Sequence, residues 1–341
     1  MITGITGMDG AYLAQLLLTK GYKVFGTFRR ASTPNFWRIM SLGLEDKIDL
    51  ISVDLGDMSS MINAIQIAQP DEMYNMAASS YVADSFECPL ANLDITGVAV
   101  ERLLEAIRIV NKDIKFYQSS SSEIYGNTPA PCDEESPMIP ISPYGVAKLA
   151  AHHLVNIYRK AHGMFCVSGI LFNHESSLRG LDFVTRKITN TVAKIFLGLQ
   201  SELTLGNVYA IRDWGYAPEY VEAVWLMMQQ DKPDDYVIAT NTSHTVIEFA
   251  RTALKILDLG PKYIKHDDRY NRPIDIHKLQ GNYSKANTNL GWAPKMKFED
   301  LVDHMVGEDL ERWTWYKEGK HFPWDAYLYP NEAKILRRIA N

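Results

Sequence analysis

The sequence predicts an α/β protein built on a doubly wound parallel sheet, and three observations carry that expectation. A glycine-rich turn, Gly4-Ile-Thr-Gly-Met-Asp-Gly10, falls where a first strand should pass into a first helix. Short apolar runs alternate with amphipathic stretches through residue 172. A Tyr144-Gly-Val-Ala-Lys148 pair opens a long helical segment behind them. Such alternation buries a parallel sheet between helices on both faces.

The elements follow in order. Only Met1, Ile2 and Thr3 precede the first glycine, so the first strand is either very short or begins before this numbering. Strands are expected at Lys23 to Phe28, Ile48 to Val53, Glu72 to Ala77, Lys115 to Gln118 and Cys166 to Phe172. Apolar spacing predicts helices over Gly10 to Lys20, Met58 to Ala68, Gly97 to Val110 and Tyr144 to His162. Beyond Phe172 the alternation breaks down, while Tyr236 to Ala239 reads as a strand returning to the first domain. The expected organisation is a dinucleotide-binding domain over residues 1–172 with returns near 209–240, and a smaller interleaved α/β domain over 173–208 and 241–312. A C-terminal extension, 313–341, is rich in aromatics from Trp313 to Tyr329 and suits burial or a subunit contact.

Composition narrows the classes. With 46% hydrophobic and 22% charged residues among 341, the chain has the make-up of an ordinary globular protein with material for a sizeable core. A net charge of -6 gives no basic field for a phosphate backbone, so no nucleic-acid partner is expected and any anionic ligand must be held locally. Cys88, Cys132 and Cys166 have neither the count nor the spacing of a disulfide framework or zinc site, which favours a reducing, cytoplasmic setting and no metal. No apolar run approaches the ~18 residues of a spanning helix, so no membrane partner is expected.

Two constellations carry chemistry. In the first, Gly4, Gly7 and Gly10, with Thr6, Met8 and Asp9 between them, would let a backbone approach a pyrophosphate at a helix N-terminus. The second strand ends at Arg29-Arg30, close to Ser32, where an acidic residue would suit NAD; two guanidiniums favour the 2′-phosphate of NADP, with NAD the alternative and a merely solvated pair the plainer reading. Asp54-Leu55 would meet the adenine edge, and Ala77 to Ser79 would pass the pyrophosphate and nicotinamide.

In the second, Tyr144 and Lys148 are four apart and share a helix face. A phenol titrates near 10, and the lysine ammonium with a positive nicotinamide should lower it enough for Tyr144 to act as a base. The strand before it ends in Ser119-Ser-Ser-Ser-Glu-Ile-Tyr-Gly126 at the carboxyl edge of the sheet. Ser121 there can bond a reacting hydroxyl. Glu123 adds what simple hydride transfer does not need, a carboxylate able to pull a proton from carbon beside a new ketone.

With these residues in place, the sequence resembles the extended short-chain dehydrogenases/reductases, and among them the GDP-mannose 4,6-dehydratase family, over nearly its whole length. Gly169-Ile-Leu-Phe-Asn-His-Glu-Ser176, Phe183-Val-Thr-Arg-Lys-Ile188, Leu205-Gly-Asn207, Ile211-Arg-Asp-Trp-Gly215 and Val237-Ile-Ala-Thr240 carry that finer likeness. The resemblance implies a Rossmann sheet and a lyase that oxidises a GDP-linked hexose at C4, eliminates water across C5 and C6, and returns the hydride to C6. It implies catalytic roles for Ser121, Glu123, Tyr144 and Lys148, with His174 and Arg179 at the cofactor. Ser80, Ser122, Asn173, Glu175, Arg186, Lys187, Asn207, Arg212, Arg272 and Asp275 would bind the GDP-sugar. Ser122 stands where dTDP-glucose dehydratases carry an aspartate, and Glu123 where 4-epimerases are not acidic, which argues against simple epimerisation; a nucleotide-sugar epimerase or a 4-keto reductase stays as the lesser alternative. A homodimer or homotetramer is implied as well.

Departures from the family pattern bear on the sugar. Ser121 replaces a threonine, Ser79 a glutamine and Tyr81 a histidine, Ser177-Leu178 replaces a proline-containing pair, and Asp275 replaces a glutamate. The stretch from Gly260 to Arg272 is shorter than usual. GDP-D-glycero-D-manno-heptose is therefore the alternative substrate to GDP-mannose.

Overall fold

The computed structural model describes residues 1–32 and 35–320. β1 (Ile2–Thr3) leads through the glycine turn into α1 (Met8–Thr19), and β2 (Phe25–Phe28), α2 (Trp37–Ser41), β3 (Asp49–Ser52), α3 (Met58–Ala68) and β4 (Glu72–Asn75) follow. Two short helices, α4 (Asp84–Glu87) and α5 (Pro89–Leu93), run through a π turn at Asp94–Val98 into α6 (Ala99–Asn111). β5 (Lys115–Ser119), a 3₁₀ turn at Ser122–Tyr125, α7 (Pro143–His162) and β6 (Cys166–Leu171) complete this half.

Two residues suffice for β1 because it lies between two partners: Ile2 pairs with both Gly26 and Tyr74, and Thr3 with both Thr27 and Asn75. Successive side chains of a strand face opposite ways, and here both faces are apolar. Met73, Phe116 and Cys166 pack beneath α3, α6 and α7, against Met61, Ile65, Leu104 and Val155. Their neighbours Tyr74, Tyr117 and Val167 face α1 and a later helix, against Leu13, Leu17, Val224 and Met228.

α7 shows why these helices start and stop where they do. The Ser142 hydroxyl accepts the Gly145 N–H at 3.0 Å, Pro143 occupies the first turn, and Gly163 ends the helix at φ 62°. Arg159, Lys160 and His162 in its last turn complement the helix dipole.

The second half is woven from short pieces: β7 (Asn173–Glu175), α8 (Val184–Phe196), β8 (Leu203–Leu205), β9 (Ile211–Arg212) and β10 (Trp214–Tyr216). After them come α9 (Ala217–Met228), β11 (Asp235–Ile238), β12 (His244–Thr245), α10 (Val246–Ile256), β13 (Ile264–His266), α11 (Ser284–Leu290) and α12 (Phe298–Lys317). α9 covers the sheet beside α1, and β11 pairs with β6, so the chain does return to the sheet where Tyr236 to Ala239 predicted. The order is β3-β2-β1-β4-β5-β6-β11, and every pairing is parallel. Outside the sheet, β7 pairs with β10, β9 with β12 and β8 with β13, over a separate apolar cluster from α8, α10 and α12 that includes Ile188, Phe249 and Met305.

No described helix is long and apolar enough to cross a membrane. Of the aromatic C-terminal stretch, Trp313 is buried and Tyr316 exposed at the end of α12; residues from 321 onward lie outside the described part.

Candidate active site

The strand order reverses between β1 and β4, and a cleft of about 810 Å³ opens at the carboxyl ends of the strands there. The glycine turn forms its floor. Gly4 has φ +68°, and a Cβ on it would stand 2.8 Å from the Ala77 Cα; a Cβ on Gly10 would stand 2.4 Å from the Gly4 carbonyl oxygen. Glycine is thus required for the backbone to fold this tightly. Gly7 caps α1 without a side chain, which leaves the first N–H groups of the helix to meet an anion.

Thr6, Met8, Asp9, Arg29, Asp54, Leu55, Ala77, Ser79, His174 and Arg179 all line the cleft. Arg30 and Ser32 do not; both are exposed beyond its rim. Arg38, from the short α2, carried no periodic signal in the sequence, yet it lines the cleft, its guanidinium donating to the Leu178 carbonyl at 2.7 Å and the Thr6 carbonyl at 3.2 Å. The π turn and α5 have a related part: Thr96 Oγ1 of the turn accepts the Ser79 N–H at 3.1 Å, and Asn92 Nδ2 of α5 donates to the Ser79 carbonyl at 2.8 Å.

An ion pair absent from the sequence reading ties the glycine turn to β7. His174 Nε2 stands 3.0 Å from an Asp9 oxygen, and Nδ1 stands 2.7 Å from the Phe172 carbonyl. A carbonyl at one nitrogen and a carboxylate beside the other favour the protonated ring. Burial opposes both charges, but the partners prevail: Asp9 is held below the ordinary carboxylate value and His174 above the ordinary imidazole value.

Beyond the glycine turn stand the four residues for which the sequence predicts a catalytic role. Tyr144 is buried on the first turn of α7, with its hydroxyl facing Ser121. Lys148, one turn on, donates from Nζ to the Ser119 carbonyl at 2.6 Å and lies 5.8 Å from the Tyr144 ring centre. The expected lowering of the phenol is not supplied by the protein's own groups: burial pushes Tyr144 up, more than Ser121 pulls it down. Burial also lowers Lys148 to about 8, with Asp9 opposing. Glu123, in the 3₁₀ turn after Ser121, is buried and raised by desolvation against the pull of Arg272 and Arg212. A raised carboxyl can both take and return a proton.

The far end collects residues from distant parts of the chain. Asn207 Nδ2 donates to Asp275 at 2.9 Å, Arg212 donates to the same carboxylate at 3.0 Å, and Arg272 lies 3.6 Å from it. Lys187 Nζ sits 3.5 Å over the Tyr270 ring, a residue the sequence reading did not single out. Ser80, Ser122, Asn173 and Glu175 also line the cleft, and Asn173 Oδ1 is buried with no hydrogen-bond partner among the described residues. Tyr81 meets the Phe183 ring edge-on at 5.9 Å, and the Arg179 guanidinium lies 3.5 Å over that ring.

Arg186 is placed elsewhere than the sequence suggested. It is wholly buried, its Nε donating to Asp309 at 2.9 Å and Nη1 to the Ser177 and Arg179 carbonyls at 2.7 and 2.8 Å, so it braces the wall behind the cleft. Helical spacing explains the displacement. Lys187, one residue on, turns the other way and reaches the cleft. Leu178 likewise is buried behind the wall, whereas Ser79 and Tyr81 face the cavity.

Comparison with known proteins agrees with this geometry. The sequence model of the family described as GDP-mannose 4,6 dehydratase matches residues 1–305. GDP-mannose 4,6 dehydratase 2 of Arabidopsis thaliana is 49% identical over 322 residues, covering 91% of this chain and 86% of that protein. The human GDP-mannose 4,6 dehydratase is 42% identical over 339 residues, 91% of each chain. Among solved structures, dTDP-glucose 4,6-dehydratase from Bacillus anthracis superposes with a TM-score of 0.81 at 20% identity, over 94% of this chain and 98% of that one. UDP-glucose 4-epimerase from Thermus thermophilus gives 0.80 at 23% identity, over 90% and 97%. At that identity the two structures share the fold. Sequence, topology and site together establish that this chain belongs to the GDP-mannose 4,6-dehydratase family.

Proposed function

We propose that the protein is a hydro-lyase that converts GDP-mannose to GDP-4-keto-6-deoxymannose, with NADP as a resident cofactor. The carrying observation is that Glu123 opens onto the same buried cleft as Ser121, Tyr144 and Lys148. Three of these groups serve oxidation at a hydroxyl-bearing carbon. The fourth serves elimination.

The residues fit a nicotinamide dinucleotide. The glycine cradle and the uncapped end of α1 suit its pyrophosphate, Arg29 at the rim suits a 2′-phosphate, and Lys148 suits the nicotinamide ribose. When bound, that group supplies a hydride acceptor for C4 and a hydride donor for C6, with no net redox change. Tyr144 Oη takes the proton of the C4 hydroxyl while Ser121 Oγ bonds the same oxygen. Lys148 holds positive charge beside the phenol. The Glu123 carboxylate then takes the C5 proton and passes it to the departing C6 hydroxyl, which leaves as water; C5 regains a proton of solvent origin as C6 receives the hydride, and Tyr144 gives up the C4 hydroxyl proton to solvent. Arg212 and Arg272 suit the diphosphate, and Lys187, Asn207 and Asp275 the nucleoside. Incubation with GDP-mannose in deuterated water tests this: a 4-keto product labelled at C5 is expected, and the absence of any 4-keto product overturns the substrate.

The second reading keeps the chemistry and changes the sugar to GDP-D-glycero-D-manno-heptose, favoured by Ser79 and Tyr81 facing the cavity. Parallel turnover of the two GDP-sugars separates them. A homodimer is supported by exposed Leu90, Leu93 and Val98 before α6 together with exposed Val146 and Ile157 on α7; light scattering distinguishes it from a tetramer. A cytoplasmic setting accords with the unpaired thiols of Cys88, Cys132 and Cys166.

A further inference from the structure

Arg272 is held unlike its neighbours. Arg212 is buried and fixed by hydrogen bonds to the Ile211 and Ile276 carbonyls at 2.9 Å and to Asp275 at 3.0 Å. Arg272 makes no hydrogen bond among the described residues. Its guanidinium lies between two carboxylates, 3.8 Å from Glu123 Oε1 and 3.6 Å from Asp275 Oδ1, and its side chain is 31% exposed. Both separations exceed those of a formed charge-assisted hydrogen bond. Five N–H donors therefore stand at the cleft beside the base, charge-paired but otherwise uncommitted.

Such a group prefers a better acceptor. A diphosphate offers oxygens matched to the guanidinium fork, whereas the carboxylates offer only long contacts here. The Glu123 carboxylate meanwhile faces Arg272, Arg212 and Asp275, with Tyr144 on the side of α7. Arg272 is the nearest of the two cations to it and the one that hydrogen bonds do not fix.

Resting on the reading of the site as a GDP-sugar dehydratase, we propose that Arg272 is a positioning residue that changes partners: in the free protein it rests against Glu123, and on binding it passes to the diphosphate, so that nucleotide occupancy uncovers the base. A carboxylate relieved of a neighbouring cation becomes more basic, because its charged form loses a stabilising partner. The free enzyme then holds Glu123 quiet, and the bound complex restores the proton affinity that burial imposes. A GDP-sugar with its diphosphate seated is the ligand that completes the active state. Fragments lacking the diphosphate leave the base masked.

The test compares the acidic limbs of kcat/KM, which report the free enzyme, and of kcat, which report the complex. In the unaltered protein the kcat limb is expected at higher pH. In Arg272→Met the free-enzyme limb rises toward the kcat limb and the gap narrows, while KM increases on the order of tenfold through the lost diphosphate contact. Arg272→Lys keeps the charge and an intermediate gap. An unchanged gap in a folded Arg272→Met enzyme overturns the proposal even if KM rises, since that result describes a diphosphate ligand with no hold on Glu123. Incorporation of solvent deuterium at C5, measured alongside, must follow the kcat limb. Should the unaltered enzyme give no 4-keto product at any pH, the dehydratase reading itself fails instead.

Discussion

The two ends of the cleft are built differently. At the cofactor end, Lys148 bonds Ser119, Ser79 is held by Thr96 and Asn92, and Asp9 is locked to His174, all on or beside regular elements of one sheet. At the sugar-nucleotide end, Lys187 leans on an exposed Tyr270 and Arg272 hangs between two carboxylates without a hydrogen bond among the described residues. The contrast teaches that the first end is fixed by its hydrogen bonds, whereas the second sets a fixed Arg212 beside an Arg272 that no hydrogen bond among the described residues holds. A preorganised end spends its reorganisation in folding; an unfinished end spends it in binding.

The largest effects should come from the preorganised end. Tyr144→Phe removes the proposed acceptor of the C4 proton, and turnover should fall by about 10²–10⁴-fold with the fold intact; near-normal turnover would remove Tyr144 from the mechanism. Glu123→Gln should lose net dehydration by a comparable factor and yet keep C4 oxidation, so reduced nicotinamide should accumulate in a single turnover. If instead both partial reactions disappear together, Glu123 is not the elimination base.

Stability supplies the next comparison. Arg186 and Asp309 are both fully buried, and removing Arg186 leaves the Asp309 charge with only the Thr189 hydroxyl at 2.6 Å and a longer contact to Arg312 at 3.6 Å. Arg186→Ala should cost about 3–5 kcal/mol in denaturant unfolding. Among molecules still folded, KM for the sugar nucleotide should stay unchanged; a selective rise in KM would return Arg186 to the binding surface.

Charge state gives a smaller, graded effect. Lys148 is lowered to about 8 by burial, so it keeps its proton below that pH and loses it above. Activity should therefore decline as pH rises through about 8, and Lys148→Arg, which does not titrate there, should push the decline to higher pH while lowering the maximum rate. The smallest difference should lie at the rim. Arg29 lines the cleft and Arg30 does not, so Arg29→Ala should weaken NADP binding by roughly tenfold and Arg30→Ala hardly at all. Equal losses would show that both reach the 2′-phosphate.

The same contrast explains what could be read in the sequence. The glycine turn, Ser121, Glu123, Tyr144 and Lys148 belong to strand ends and helix starts whose periodicity is strong, and they fall together as expected. Asp9 and His174 are each expected beside the cofactor, but their ion pair joins residues 165 apart and leaves no local trace in the sequence. Arg38 and Tyr270 sit on a five-residue helix and a three-residue 3₁₀ turn, too short for any repeat to show. Arg186 was misplaced because motif likeness marks a segment, whereas the helix decides which of its residues faces the cavity. The depth of Tyr144 is a further feature that spacing does not report: helical spacing places an ammonium nearby, while the burial that pushes the phenol up emerges only in three dimensions.

The return of β11 to the edge of the sheet has a practical consequence for changing specificity. Because the chain leaves the sheet after β6 and rejoins it at β11 before departing again, the sugar-facing segments are anchored at several points along the backbone. They cannot be exchanged between relatives as one cassette with a single junction. An engineer, or evolution, has to alter substrate choice by point changes and loop-length changes in place, each confined between segments that the sheet already fixes.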